Sequence, residues 1–512
     1  MPYASRLKIG ERLATSLWFV PTLFVVAAAL LAAVTLAADR ALVAAGAQRH
    51  LPDLFAVGPT SARTVLFVVA GSMIGTMGTV LSMTVITLSL ASTQFTPRAL
   101  STFTRDRGTQ AVIGVFTAAF IYCLVVVRTV RDGNEPAGAF VPTLSVATAV
   151  LLGLAGVAAL IYFTHHVATS INVATVVAKL ATTTWPLLDD LFPDGAGTAL
   201  AAGDDDGAAS IVARLAFRPV ASHGTGYVQA IDAARLIGIA EREGLVVRLD
   251  RAVGEFVAEG DALAAVATAD GDARNGARDK GARDDDARGY SATARLDLAI
   301  NDCIALGGAR TLQADPELGV HQIADIAVKA LSPGGADPTT ALACLDYLST
   351  LLRRVAARDD PSPYRAGADR RLRLIARGPT FETMVVRTVE HLRQHLMGDA
   401  AATLRLFDAL RGVALATTAP ERHAHVWRLV SRLAATADGA ITGPSDRAAV
   451  NERIGALASL LGRDATTLLL AVDAEREPAT FEPPRGVVPG GDPNRADPPS
   501  TSDDLRIVAG EG

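Results

Sequence analysis

The chain has 512 residues, half of them hydrophobic and only 5% aromatic, with a mean hydropathy of +0.30. That length suits several domains, and that hydropathy disfavours a purely soluble enzyme, a fibrous protein and a disordered chain alike. The formal net charge of -5 leaves no general basic field for nucleic acid.

Four runs without Asp, Glu, Lys or Arg occupy the first third: residues 17–38, 64–90, 111–127 and 140–163. A helix rises about 1.5 Å per residue and the hydrocarbon layer is about 30 Å thick, so roughly 20 residues cross it. The runs meet or approach that length, and they lack the short alternating pattern of barrel strands. Four transmembrane helices are expected. The first run exceeds the apolar stretch of a signal peptide, and Trp18 and Phe19 at its start suit a membrane interface. With the N-terminus inside, Arg6, Lys8, Arg12, Arg98, Arg105, Arg107 and Lys179 fall on the inner side. Arg40, Arg49, Arg63, Arg128 and Arg131 fall on the outer side. That bias favours both termini inside, with the large C-terminal region cytoplasmic. Ionisable groups at bilayer depth mark proton relays, and the runs hold none, which argues against a proton-coupled transporter.

The second run carries Gly71, Gly75, Gly78, Ser82, Ser89 and Ser92 on one heptad stripe, with Ser72, Thr76, Thr79 and Thr87 alongside. Small residues let helices approach closely in lipid. Three readings stand: packing within the four-helix bundle, a self-association face making a homo-oligomer, and a pore lining. Pro97 marks an end for this helix. After the fourth run come His165 and His166, then an amphipathic stretch to Trp185 that reads as a helix leaving the membrane for the cytoplasm. Neighbouring histidines suit pH sensing or metal binding. On a helix they point about 100° apart, which favours a structural juxtamembrane role.

The soluble remainder divides into a small β-sandwich-like domain at 186–269, a low-complexity insert at 270–289, an α-helical domain at 290–465 and a Pro/Gly/Asp-rich tail at 477–512. The expected fold is thus an α-helical membrane protein with four transmembrane helices and a cytoplasmic region made of a small β-rich domain and an α-helical bundle. Within the β-rich part, 211–217 and 245–249 read as strands, 232–242 as a helix and 254–263 as a hairpin. The hairpin resembles those of biotinyl and lipoyl carriers. No lysine occurs from residue 180 to 279, so no cofactor is attached there. From 292 onward, seven stretches carry helical apolar spacing: 292–306, 318–331, 339–358, 382–397, 400–416, 420–437 and 447–461.

No phosphate-binding loop, dinucleotide fingerprint, nucleophile elbow or paired-histidine metalloprotease motif occurs. His391 and His395, with His423 and His425 two helices on, are the one metal candidate; a solvated amphipathic face is the preferred reading, and no metal is assigned. Cys123, Cys303 and Cys344 are scattered and form neither a disulfide framework nor a zinc spacing. Lys329, Ser332, Pro333, Asp337 and Pro338 lie in a turn between two amphipathic helices. That turn is either a well-capped helical hairpin or a loop for a small ligand or cytoplasmic partner, whose helix N-terminus would hold an anion.

Several segments in order resemble a large family of predicted bacterial membrane proteins of unknown function, the domain of unknown function 2254. They are Ser92 to Arg98, His165-His166, Gly226-Tyr227-Val228-Gln229, Val253-Gly254 with Phe256-Val257, and Ile326 to Ala341. The family pattern has Asn before the Asp-Pro, where this chain has Ala336. The resemblance implies a topology and no activity. Bound to the bilayer and free of catalytic motifs, the chain is expected to be a non-enzymatic sensor or scaffold. A channel lined by the second span is the first alternative, and an enzyme at the membrane face the second.

Overall fold

A computed structural model describes residues 18–45, 58–94, 106–132, 140–170, 173–189, 198–199, 205–269, 292–312, 314–332, 337–396 and 398–472. The insert at 270–289, the tail at 477–512 and Pro333 lie outside them.

Among the described residues, four helices are long and apolar enough to cross a membrane. They are α1 (Phe19–Ala44), α2 (Pro59–Gln94), α3 (Arg107–Val127) and α4 (Thr143–Ser170). Helix α3 is the shortest run in the sequence and the centre of the bundle. Half of its apolar window is buried, against about a quarter for the other three. Tyr122, Cys123 and Val126 of α3 pack with Ala28 and Ala32 of α1, Leu66 and Ala70 of α2, and Ala149 of α4. Nearer the other end, Phe116 and Val112 meet Met73, Val80 and Phe163. The outer surfaces are greasy: Leu30, Val34, Leu151 and Ile161 are each more than 60% exposed. A continuous apolar surface of that kind is stable against lipid tails and not against water.

The soluble region holds two sheets. Strands β1 (Thr198–Ala199), β2 (Arg218–Ala221), β4 (Leu245–Leu249), β6 (Ala262–Thr268), β8 (Tyr364–Ala366) and β9 (Leu372–Ile375) form one, in the order β1-β8-β9-β4-β6-β2. Strands β3 (Gly226–Ile231), β5 (Phe256–Val257) and β7 (Ile304–Gly307) form the other, in the order β5-β3-β7. Among the described strands only β4 and β9 pair in parallel, with Val247 opposite Leu374. The sheets share a core with α7 (Ala233–Glu243) and α8 (Ala292–Asn301), through Val220, Val247, Val228, Ile304, Leu236 and Ile300. Helix α7 starts where Asp232 accepts from the Arg235 N–H, and ends at Gly244 in the left-handed region.

Four expectations are corrected. Residues 205–212 form helix α6 (Asp205–Val212) rather than a strand from 211; the Asp-Asp-Gly-Ala lead-in favours a helix start over β pairing. The apolar pattern of 292–306 breaks at Asn301, and β7 follows it. The 254–263 segment is not a paired hairpin: β5 joins β3, and β6 joins β2 and β4. Gly254 and Gly260, at φ +87° and +88°, steer the chain between sheets instead. Strands β8 and β9, read in the sequence as part of a helical region, complete the larger sheet, so that sheet draws on both sides of the insert.

The helical core is built from α9 (Pro316–Leu331), α10 (Pro338–Ala356), a π-helical turn at Glu382–Val386 running into α11 (Arg387–Leu396), α12 (Ala400–Ala416), α13 (Pro420–Ala440) and α14 (Pro444–Leu461). Helix α5 (Val173–Asp189), expected as a simple extension of the membrane domain, belongs to this core. Its Val176, Val177, Leu180, Ala181 and Leu188 are buried among Val320, Ile323, Leu345 and Leu348.

Candidate functional site at the membrane exit

Helix α4 leads from the bilayer to α5, and both of its ends are held by carboxylates from neighbouring helices. At the end facing the soluble region, Asp106 caps α3: its carboxylate accepts from the Gly108 and Thr109 N–H groups at 3.1 and 3.2 Å and from Thr109 Oγ1 at 2.7 Å. The same Oδ2 lies 2.6 Å from His166 Nε2 on α4. Burial pushes the Asp106 carboxyl up, but the Thr109 and His166 hydrogen bonds and the His166 charge outweigh it and hold it below the usual carboxylate range. Tyr162, one turn earlier, stacks on the His166 ring with centroids 5.3 Å apart. A glycine is needed opposite: a Cβ on Gly108 would sit 2.8 Å from Tyr162 Oη and 3.0 Å from His166 Nε2. His165 is exposed, so the adjacent pair diverges as helix geometry requires.

At the far end, α1 runs past residue 38 and takes Asp39 into the bundle, where it is wholly buried. Its carboxylate caps α4 from another helix. It accepts from the Leu144 N–H at 2.9 Å, the Ser145 N–H at 3.0 Å and Ser145 Oγ at 2.7 Å. An anion at a helix N-terminus satisfies free donors and complements the helix dipole. Tyr122 Oη donates to the Ser145 carbonyl and lies 2.8 Å from Thr35 Oγ1. Arg63 closes the same end, binding Asp132 at 2.6 Å and the Val130 carbonyl at 2.9 Å. Neither Asp39 nor Asp106 stood out in the sequence. Each borders an apolar run, and a run that stops at the first charge assigns that charge to a loop. The Asp-Arg-Gly-Thr spacing at Asp106 was a legible cap signal.

Beyond the membrane, α5 is fixed to the soluble core on one face and at its end. A Cβ on Gly319 of α9 would sit 2.0 Å from Thr184 Oγ1, so the two helices touch backbone to side chain. Asp189 receives Arg354 Nε at 2.8 Å from the last turn of α10 and is bridged by Arg358, just beyond that helix, as well. Helix α9 is in turn tied to the sheets. Arg310 pairs with Asp315 through two hydrogen bonds of 2.7 and 2.9 Å, Asp315 caps α9, and Gly254 lies against the pair with its absent Cβ 2.5 Å from Asp315 Oδ2. Gln229 donates to the Ala309 carbonyl, and Tyr227 meets Phe256 edge-on. The segments around Gly226 and Gly254, far apart in sequence, thus meet at one corner beside α9.

The remaining candidates are placed as follows. Gly71, Gly75 and Gly78 have open space where a Cβ would stand, and Ser82, Ser89 and Thr79 are exposed, with Thr76 half-buried. Among the described residues the three glycines of the stripe meet no neighbour, whereas Leu66, Ala70, Met73 and Val80, about half a turn round, are buried in the bundle. Ser92 lies in α2, its side chain outside the described set. At the helical hairpin, Asp337 caps α10 by accepting from the Thr340 N–H, Pro338 occupies the first turn, and Ser332 Oγ donates to the Lys329 carbonyl. These bonds are internal, as the capped-hairpin reading requires. His391 lies 3.2 Å from Asp325, whereas His423 contacts the Ala414 and Thr417 carbonyls and His425 contacts Arg428. The four histidines do not converge, and among the described residues no group of three or more His, Cys, Asp or Glu fits a metal. Burial pushes the thiols of Cys303 and Cys344 up to about 12 in each case, so neither is a nucleophile near neutrality.

Four lipid-facing helices welded to a folded soluble region define a membrane-anchored protein. The chain belongs to the predicted membrane protein family DUF2254, whose model matches residues 14–412. It is 30% identical over 436 residues to an uncharacterized protein of Mycobacterium tuberculosis, Rv1290c, covering 84% of this chain and 76% of that one. An uncharacterized protein of Mycobacterium bovis, Mb1321c, matches over the same shares at the same identity. No solved structure matches.

Proposed function

We propose that this protein is a non-enzymatic membrane-anchored sensor that passes a change in its membrane bundle to its soluble core. The observation that carries the reading is α5. It follows α4 after two residues and is buried on one face in the soluble helices, so a shift of α4 has a direct packed route into α9 and α10. We place the soluble region in the cytoplasm, beneath the bacterial inner membrane, on the Lys/Arg bias of the short loops. Labelling of Asn134→Cys from the outside supports that orientation, and labelling only from the cytoplasm overturns it.

The test of transduction is hydrogen exchange of the full chain in vesicles of short-chain and of long-chain phosphatidylcholine. Exchange in α5 and α9 is expected to differ at least about twofold between the two bilayers, because hydrophobic mismatch shifts helix tilt. Insertion of two glycines after Asn172 is expected to abolish the difference. No difference in the wild type removes the sensor reading.

The outward-facing Gly71, Gly75 and Gly78 stripe favours self-association in lipid through a close helix approach. Gly75→Leu with Gly78→Leu should lower the detergent-solubilised mass without lowering thermal stability, since a Cβ at either position meets no described residue of its own chain. A channel between copies would use the same surface. Ion flux into liposomes separates the readings, and flux lost in the double variant would favour the channel.

A further inference from the structure

Helix α4 is gripped at its two ends by chemically different contacts. At the far end Asp39 accepts, among the described residues, from backbone N–H groups and a hydroxyl, donors that do not titrate near neutrality. At the end facing the soluble region the contact is an imidazole against a carboxylate, His166 Nε2 to Asp106 Oδ2 at 2.6 Å. Histidine is the side chain whose charge changes in the neutral range. With the ring neutral this contact is a single hydrogen bond; with the ring protonated it is a charge-assisted ion pair, roughly twice as strong.

We infer that α4 is fixed at Asp39 and held at His166–Asp106 by a proton-operated clasp, so that protonation on the soluble side sets how firmly α4 is held against α3. Among the described residues, helix α3 brings Asp106 and Arg107, α4 brings Tyr162 and His165, and the first ionisable group of α5 is Lys179. The described part of α1 before Asp39 has no ionisable side chain, and neither does α2 beyond Arg63. Tyr162 stacks on the ring and Gly108 admits it, so both the ring position and the close approach of α3 to α4 are built in.

The sign follows from the chemistry. The clasp is tightest with an ionised Asp106 and a charged His166. Asp106 is already held below the usual carboxylate range, so its ionisation persists to low pH. Loss of the imidazolium proton therefore loosens the clasp, while the Asp39 end stays held. Its effect on the soluble core rests on the sensor reading above; the clasp itself does not.

The test is hydrogen exchange of the full-length protein in nanodiscs of phosphatidylethanolamine and phosphatidylglycerol, corrected for intrinsic rates. Protection of the first turns of α3 and the last turns of α4 is expected to be about threefold greater at about pH 6 than at about pH 8. The first turn of α4, beside Asp39, should not change. His166→Gln is expected to flatten the dependence. Asp106→Asn, which keeps a capping oxygen and loses the charge, is expected to flatten it too, so the failure of one variant to fold leaves the other decisive. A flat wild-type profile overturns the clasp, as does an unchanged dependence in either variant. A pH response local to α3 and α4 that does not reach α5 and α9 upholds the clasp and counts against transduction.

Discussion

Asp39 is an acid inside an apolar helix, and α4 begins where it does because that acid is there. Its removal strands two backbone donors in a water-poor site, which costs about 1–3 kcal/mol for a buried unsatisfied group. Asp39→Ala should accordingly lower the thermal unfolding temperature of the nanodisc-embedded protein. Asp39→Asn, which keeps one acceptor oxygen, should lower it less. An Asp39→Ala protein as stable as wild type would show that water replaces the carboxylate. Asp106 gives a second prediction at this scale. Its carboxyl is held below the usual range, so the stability it adds is fully present above the ordinary aspartate value of about 3.9. That contribution fades only as pH falls through the lowered one. The stability gap between wild type and Asp106→Asn should therefore be open at about pH 5 and close on further acidification; a gap independent of pH would place the effect in packing rather than charge.

At the scale of elements, the contact between α5 and α9 is a close one. The missing side chain of Gly319 leaves room for Thr184 and nothing more. Gly319→Ala overpacks the contact, at a cost of about 1–3 kcal/mol, which denaturant unfolding of the solubilised chain would detect. Adding Thr184→Ala should recover part of the loss, because the clash is with the Thr184 hydroxyl and methyl. Strictly additive effects would show that the helices part rather than touch. Helix starts were the most legible elements in the sequence: Asp337 followed by Pro338 reads as a cap and is one. Strands were the least legible. β8 and β9 are three and four residues long, too short to announce a period of two, and they owe their existence to partners distant in sequence.

For the molecule as a whole, the four spans were legible because about twenty uncharged residues in a row have one stable fate in a cell. Their arrangement was not. Periodicity marked Gly71, Gly75 and Gly78 as a packing stripe, yet the interior of the bundle takes the larger Leu66 and Met73 instead. Composition shows that a stripe is small and cannot show which way it turns. The four spans predict full recovery in the membrane pellet after high-speed centrifugation and resistance to carbonate extraction; protein in the supernatant would contradict the bundle. The parallel pairing of Val247 with Leu374 bears on biosynthesis. A ribosome completes β4 long before β9 exists, when all four spans have already emerged. One edge of β4 stays open during that interval, and unpaired edges invite association between chains. A nascent chain stalled before residue 372 would thus expose an incomplete sheet, a natural point for a chaperone to act.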